Sequence, residues 1–265
     1  MIADALEMLK QIVIDVGDEI LQCYGDVDSL DVKHKENNTP VTMVDEMAHQ
    51  RISQALKLLT PKTPVLSEEG KHLSFEQRTN WSEYWLIDPL DGTKEFIAKT
   101  GDFSINIAYI KENLPIFGIV YAPVTGELYY THEGIAYKKK RGSVPKIIQT
   151  AATTNTLRIA VSRHHRGEKL QAFLAKLKQY ELVIMGSALK LCLVAEAKAD
   201  IYLRLGPTSE WDTAAGHHIL ACAGGRLLNL QGEELQYNTK ASLLNPAFIA
   251  LGDPNFKWRH LLNTL

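Results

Sequence analysis

The stretch Trp85-Leu86-Ile87-Asp88-Pro89-Leu90-Asp91-Gly92-Thr93-Lys94-Glu95-Phe96 frames the reading of the whole chain. Its apolar start reads as a buried strand, and Pro89 removes a backbone donor and stops the ladder. Asp88 and Asp91 then leave the end of that strand together. Two carboxylates this close raise each other's pKa unless a cation or donors lie between them. Gly92 lets the backbone approach a ligand, and Thr93 brings a hydroxyl to a helix start, where free amides attract anions. The motif admits two readings: a corner where divalent metals meet a phosphate, or an Asp-Pro turn with a helix cap.

Upstream, Ile2, Leu6, Leu9, Val13, Val16 and Ile20 recur at three- and four-residue steps and predict an amphipathic helix. The acidic residues Asp4, Glu7, Asp15, Asp18 and Glu19 interrupt it, which excludes a secretory signal. The polar segment 31–38 reads as an exposed loop. A second helix carries Val44, Ala48, Ile52, Leu56 and Leu59 inward, with Asp45 in its first turn, where the helix dipole alone favours a carboxylate. Pro64-Val65-Leu66-Ser67 is a short strand running into Glu68 and Glu69.

Downstream, residues 103–137 alternate or run apolar between Asn113-Leu114-Pro115, Thr125-Gly126 and Glu133-Gly134, the pattern of an antiparallel meander. Lys138-Lys139-Lys140-Arg141 reads as a solvated turn, with an anionic contact as the alternative. Beyond Lys146 strands alternate with helices, indicating an α/β layer. The expected strands are 157–161, 182–185, 201–205, 226–230 and 248–251. A helix from Asp212 to Cys222 ends at Gly224-Gly225, and a terminal helix holds Trp258 and Leu262. The division expected is an α+β half over residues 1–150 and an α/β half over 151–265, meeting at a change of layer rather than a hinge.

At 265 residues, 45% hydrophobic and 23% charged, the chain has the composition of a globular protein with a substantial core. A net charge of -2 argues against polymeric nucleic acid as a partner, though not against a mononucleotide. Cys23, Cys192 and Cys222 cannot all pair and sit in apolar helical contexts, so buried reduced thiols in a cytoplasmic protein are expected. No stretch is long and apolar enough to span a membrane.

Four acidic positions share one character. Glu68, Asp88 and Asp91 leave strands, and Asp212 opens a helix in Glu210-Trp211-Asp212-Thr213-Ala214-Ala215-Gly216. If they converge, they form an all-oxygen site suited to Mg²⁺, with the Leu90 carbonyl as a further ligand. Two bridged ions roughly 4 Å apart suit an in-line phosphoryl displacement. Asp88-Pro89-Leu90-Asp91-Gly92-Thr93, Glu68-Glu69 and Trp211-Asp212-Thr213-Ala214-Ala215-Gly216 resemble, in order and spacing, the three signatures of the Mg²⁺-dependent, lithium-sensitive inositol monophosphatase superfamily. Lys94-Glu95-Phe96, Gly186-Ser187-Ala188-Leu189-Lys190 and Tyr202-Leu203-Arg204-Leu205 resemble its bacterial 3′(2′),5′-bisphosphate nucleotidase subgroup. One departure is Ser162-Arg163-His164-His165, where that subgroup usually reads Ser-Arg-Ser-His.

The resemblance implies a layered α/β/α/β/α sugar-phosphatase sandwich holding two or three Mg²⁺ ions. In it, Glu68, Asp88 and the Leu90 carbonyl bind one ion, and Asp88, Asp91 and Asp212 a second. Asp45 helps hold a third and, with Thr93, polarises the attacking water. The amides of Gly92 and Thr93 receive the phosphate, while Ser187, Lys190 and Arg204 contact the nucleotide and its second phosphate. His165 is a further candidate contact. His217 and His218 are expected on the helix after Asp212, one packed and one exposed, among hard oxygen ligands that disfavour a transition metal. The activity implied is hydrolysis of adenosine 3′,5′-bisphosphate to AMP and phosphate, relieving product accumulation in sulfate assimilation. A cytoplasmic monomer or homodimer is the expected form, with a peripheral place at the inner face of the membrane as the alternative. The competing expectations are an inositol or sugar monophosphatase on the same metal site and a non-catalytic nucleotide sensor on the same fold.

Overall fold

The three- and four-residue spacing of apolar side chains near the N-terminus becomes α1 (Ile2–Tyr24), which buries Leu6, Leu9, Val13, Val16 and Ile20 along one side. The computed structural model describes residues 2–25, 33–34, 40–41, 43–71, 73–163 and 167–262. Within the segment read as an irregular loop, β1 (Lys33–His34) pairs antiparallel with β2 (Pro40–Val41). The rest of that segment lies outside the described residues. Next, α2 (Met43–Leu59) buries Val44, Ala48, Ile52 and Leu56, while Leu59 is only half-buried.

The following elements are β3 (Val65–Ser67), α3 (Phe75–Arg78), β4 (Glu83–Asp91) and α4 (Thr93–Ile97). Then come the meander strands β5 (Ser104–Lys111), β6 (Leu114–Ala122), β7 (Glu127–His132) and β8 (Ile135–Lys140), and the short β9 (Lys146–Ile147). These strands form a seven-stranded sheet in the order β3-β4-β5-β6-β7-β8-β9. The β3–β4 pair is parallel, and every other pair is antiparallel.

The basic run differs from expectation, because Lys138 to Lys140 belong to β8 and not to a turn. Lys138 is drawn inward by Glu127 and Glu196, at 2.8 and 2.9 Å, and lies over the Tyr129 ring. These partners are remote in sequence, and a run of like charges gives no sign of them.

The second half contributes β10 (Leu157–Val161), α5 (Glu168–Leu174), β11 (Tyr180–Ile184), α6 (Leu189–Ala195) and β12 (Ile201–Arg204). After a 3₁₀ turn at Glu210–Asp212 come α7 (Ala214–Cys222), β13 (Arg226–Asn229) and β14 (Phe248–Leu251). The expected terminal helix is instead a 3₁₀ turn, Arg259–Leu261. The five strands order as β11-β10-β12-β14-β13. Cys192 is buried as expected, but Cys23 and Cys222 are half-buried, and all three are free thiols.

Strand alternation sorts the core into layers. Trp85, Ile87, Ile105, Ile107 and Ile119 face α1 and α2. Tyr84, Leu86, Ala108, Ile110 and Val120 face α6 and α7, which pack on their other side against Ala160, Tyr202, Phe248 and Ala250 of the second sheet. The outer face of that sheet is covered by Leu170, Phe173 and Leu174 of α5 together with Trp258 and Leu261. The order is helix pair, seven-stranded sheet, helix pair, five-stranded sheet and outer helix layer, the expected α/β/α/β/α sandwich.

Candidate active site

Strand β4 does not stop at Pro89. Asp88 pairs with Asn106 and Asp91 with Ser104, so three residues on β4 advance against two on β5, a bulge at Pro89-Leu90. The bulge decides where the acids point. In a regular strand Asp88 and Asp91 would face opposite sides of the sheet. Here Leu90 packs with Trp85 and Ile87 toward α1 and α2, whereas Tyr84 and Leu86 face the inner helices. Asp88 and Asp91 are thereby delivered to the same inner side. Pro89 has no amide to leave unpaired in the bulge.

Glu68 follows β3, and its backbone amide donates to the Ile87 carbonyl oxygen at 3.3 Å. Asp212 closes the 3₁₀ turn, and the Ser209 amide donates to its Oδ2 at 2.9 Å. One carboxylate oxygen from each of Glu68, Asp88 and Asp212 lies within 4.8 Å of the others. The Leu90 amide donates to Asp88 Oδ1 at 3.2 Å. Asp91 stands beside this trio, its Oδ2 accepting from the Ala188 amide and, at 3.3 Å, from Asn106 Nδ2.

Burial pushes the Asp88 carboxyl well above the usual range, and the charges of Glu68, Asp91, Asp212 and Asp45 push it further. Asp212 is raised in the same way by burial, Asp91 and Glu68, with the Ser209 amide and Arg204 opposing. Asp91 is pushed up to about 6, burial outweighing Lys190 and the Ala188 amide. A buried group of acids held this close stays ionised only with positive charge among them, and an all-oxygen donor set suits a hard divalent cation. The residues therefore fit such an ion.

Gly92 adopts the left-handed conformation (φ 97°) that turns the chain from β4 into α4. Thr93 then presents its hydroxyl 3.4 Å from Asp45 Oδ1 and 3.3 Å from the Leu90 carbonyl oxygen. Asp45 is 3% exposed, so burial removes it from the solvent-facing role that a helix-dipole carboxylate would have. In the pair Lys94-Glu95, Lys94 faces solvent and Glu95 faces the cleft.

The cleft beside the acids is lined by Asp91, Glu95, Ser187, Lys190, Arg204 and Asp212 among others. A Cβ on Gly186 would collide with the Asp102 carbonyl oxygen, so only glycine lets the next turn approach this closely. Ser187 follows with φ 49° and accepts from Lys190 Nζ through its carbonyl oxygen at 2.6 Å. Lys190 is 5% exposed and lies 5.3 Å from the centre of the Tyr202 ring. Burial pulls its ammonium down to about 8, against the pull of Asp91. Arg204 donates from Nη2 to the Pro207 carbonyl oxygen at 2.9 Å. Ser162, Tyr202 and Arg204 line both this cleft and a second hollow beside it.

The candidates Asp45, Glu68, Asp88, Leu90, Asp91, Thr93, Ser187, Lys190, Arg204 and Asp212 thus gather around one corner. His164 and His165 lie outside the described residues. His217 is buried, and His218 is half-buried where an exposed ring was expected. The sequence reading missed Asn106, although a polar residue in the alternation Ser104-Ile105-Asn106-Ile107 was a visible signal. It also missed the Ala188 and Ser209 amides, which no side-chain pattern announces.

A sequence profile of the inositol monophosphatase family matches residues 2–255. The 3′(2′),5′-bisphosphate nucleotidase CysQ of Escherichia coli is 45% identical over 243 residues, 92% of this chain and 98% of the relative. The protein of that name from Aggregatibacter actinomycetemcomitans is 39% identical and covers 100% of this chain and 97% of its own. Among solved structures, CysQ from Bacteroides thetaiotaomicron superposes with a TM-score of 0.82 at 36% identity, covering 96% of this chain and 98% of that one. A Thermotoga maritima IMPase shares the fold at a TM-score of 0.80 and 24% identity, over 98% of this chain and 97% of that one. With the profile spanning nearly the whole length and the acidic corner assembled from its three signatures, the chain belongs to the inositol monophosphatase family.

Proposed function

We propose that this protein is a 3′(2′),5′-bisphosphate nucleotidase that hydrolyses the 3′-phosphate of adenosine 3′,5′-bisphosphate to give AMP and phosphate. The observation that carries the reading is the adjacency of two different sites. A buried acidic corner fit for divalent cations opens onto a cleft containing the buried Lys190 and the Arg204 guanidinium. The relatives of 39–45% identity that bear this activity in their names support it.

Glu68, Asp88, the Leu90 carbonyl, Asp91 and Asp212 would hold two Mg²⁺ ions, with Asp45 contributing to a third. Such ions polarise the phosphoryl oxygens and lower the pKa of water. The Thr93 hydroxyl donates to Asp45, which leaves its lone pairs to accept from a water and aim it at phosphorus. The water gives up a proton to solvent as its oxygen forms the new P–O bond, the bond to the ribose 3′-oxygen breaks, and that oxygen takes a proton from a second water. Gly92 and Thr93 amides at the turn into α4 meet the phosphate oxygens. Lys190 and Arg204 neutralise the 5′-phosphate, which keeps its charge throughout, and Ser187 shapes the turn beneath it. The second hollow, past Tyr202 and Arg204, takes the nucleoside.

This activity would clear the bisphosphate by-product of sulfate assimilation in the cytoplasm. No helix among the described residues is long and apolar enough to cross a membrane. Equimolar competition between adenosine 3′,5′-bisphosphate and inositol 1-phosphate tests the assignment. Preferential turnover of the nucleotide is expected, and preference for the inositol phosphate would overturn it.

A further inference from the structure

Behind Asp212 runs a buried hydrogen-bonded chain that the chemical step does not use. Thr213, next to Asp212 and lining the cleft, has its Oγ1 at 3.3 Å from Tyr237 Oη. Tyr237 Oη lies 3.1 Å from His217 Nδ1, and His217 Nε2 lies 3.3 Å from Glu234 Oε1. Tyr237 and His217 are 0% and 1% exposed, whereas the Glu234 side chain is 52% exposed. The chain thus leads from the cleft through the core to the surface.

Its polarity follows from the groups themselves. An ionised carboxylate only accepts, so Glu234 draws the ring proton of a neutral His217 to Nε2. Nδ1 is then an acceptor and takes the hydroxyl proton of Tyr237. Tyr237 Oη then accepts from Thr213 Oγ1, whose single proton is shared between it and the Glu210 carbonyl oxygen at 3.2 Å, while Asn245 Nδ2 donates to Thr213 Oγ1 at 3.1 Å.

Asp212 needs such an anchor. It sits in a three-residue 3₁₀ turn just ahead of α7, facing the carboxylates of Asp91 and Glu68, which repel it. The Ser209 amide fixes one of its oxygens from within the same turn, so this bond orients the side chain and does not locate the turn. Part of its location comes from the loop before β14, where the Leu243 carbonyl oxygen accepts from the Glu210 amide at 2.8 Å and Asn245 Nδ2 donates to the Ser209 carbonyl oxygen at 2.6 Å and to Thr213 Oγ1 at 3.1 Å. His217 and Tyr237 add a second hold, from the core side, since α7 and the segment after β13 are both packed into the core.

We infer that Tyr237 and His217 are positioning residues that hold Asp212 in place as a metal ligand, with Glu234 setting the His217 tautomer. The inference rests on the proposed ligand role of Asp212. Removing an outer partner that orients a metal's ligand typically costs about 10–100-fold in metal affinity or activity.

Direct Mn²⁺ binding, followed by the loss of the free-ion paramagnetic resonance signal, and the Mg²⁺ concentration for half-maximal phosphate release test this together. Tyr237→Phe keeps the ring and removes only the hydroxyl, and Thr213→Val breaks the same chain from the other end. Each should weaken Mn²⁺ binding and raise the Mg²⁺ requirement by about tenfold. The nucleotide KM at saturating Mg²⁺ should stay within about twofold, and Thr213→Ser should restore metal affinity. The double variant should bind Mn²⁺ no worse than the weaker single variant, because both substitutions cut one chain. Unchanged Mn²⁺ affinity in both single variants, or losses that multiply in the double variant, would overturn the inference. Asp212→Asn serves as the control. If it binds as many Mn²⁺ ions as the parent, and as tightly, the metal reading itself fails and takes the inference with it.

Discussion

Thr93 and Asp45 face each other across 3.4 Å, joining the start of α4 to the first turn of α2. The hydroxyl has one proton, and both neighbours within reach, Asp45 Oδ1 and the Leu90 carbonyl oxygen, are acceptors. Its lone pairs are therefore the part available to a water. Thr93→Val, nearly isosteric, should lower kcat by about 10²–10³ while leaving KM within a few-fold. Thr93→Ser should retain most of the rate. Initial-rate assays on the purified variants decide this, and a near-normal kcat for the valine variant would remove Thr93 from the mechanism.

The acidic corner is built against the stability of the metal-free protein. Burial and four neighbouring acids all raise the Asp88 pKa, so its charge is disfavoured in the fold. Asp88→Asn should abolish turnover and yet raise the melting temperature of the metal-free protein by about 3 °C or more, the scale of roughly 1 kcal/mol in a chain of this size. Millimolar Mg²⁺ should stabilise the parent and leave the variant unmoved, because only a ligand that binds the folded state shifts the equilibrium. Scanning calorimetry with and without metal reads both effects. A metal-free variant melting below the parent would contradict the electrostatic account.

Much of this corner was legible from residues alone, and the limits have physical causes. Asp88-Pro89-Leu90-Asp91-Gly92-Thr93 announced two acids and a turn, but strict alternation places Asp88 and Asp91 on opposite faces of a sheet. Only the bulge between their pairings with Asn106 and Ser104 reconciles them, and bulges leave little trace in periodicity. The layers followed from alternation and helical spacing because burial obeys those periods. Lys138 misled because its partners, Glu127 and Glu196, come from a neighbouring strand position and from the end of α6. Tyr237 went unnoticed for a similar reason, since it reaches Thr213 and His217 from a segment without regular structure.

In the proposed function, Lys190 is the residue that separates a bisphosphate site from a monophosphate site. Its ammonium is 5% exposed and oriented by the Ser187 carbonyl oxygen at 2.6 Å. Lys190→Met keeps the apolar stem and removes the charge. We expect kcat/KM for adenosine 3′,5′-bisphosphate to fall about 10–100-fold, the scale of a charge-assisted hydrogen bond. For 3′-AMP the loss should stay below about threefold. Equal losses on the two substrates would show that Lys190 does not meet the 5′-phosphate.

His218 should impose an acid limit on stability independent of the metal corner. Burial and the neighbouring His217 hold its ring down at about 4, against its donation to the Pro115 carbonyl. In the unfolded chain the ring titrates near 6.5, so between these values the unfolded state binds the extra proton. The stability it contributes is complete above pH 6.5 and is lost as pH falls toward 4, amounting to about 2 kcal/mol by pH 4.5. Urea denaturation of the parent and of His218→Gln at pH 7 and 4.5 isolates this difference. The parent should lose about 2 kcal/mol more than the variant, and parallel losses would refute the assignment.

The most direct test of the central claim is phosphate release from adenosine 3′,5′-bisphosphate by the full chain, with the nucleotide product identified by chromatography, in EDTA and after Mg²⁺ is restored. The account predicts no release in EDTA, full recovery with Mg²⁺, and 5′-AMP as the product. Release that persists in EDTA, or adenosine 3′-monophosphate as the product, would contradict it.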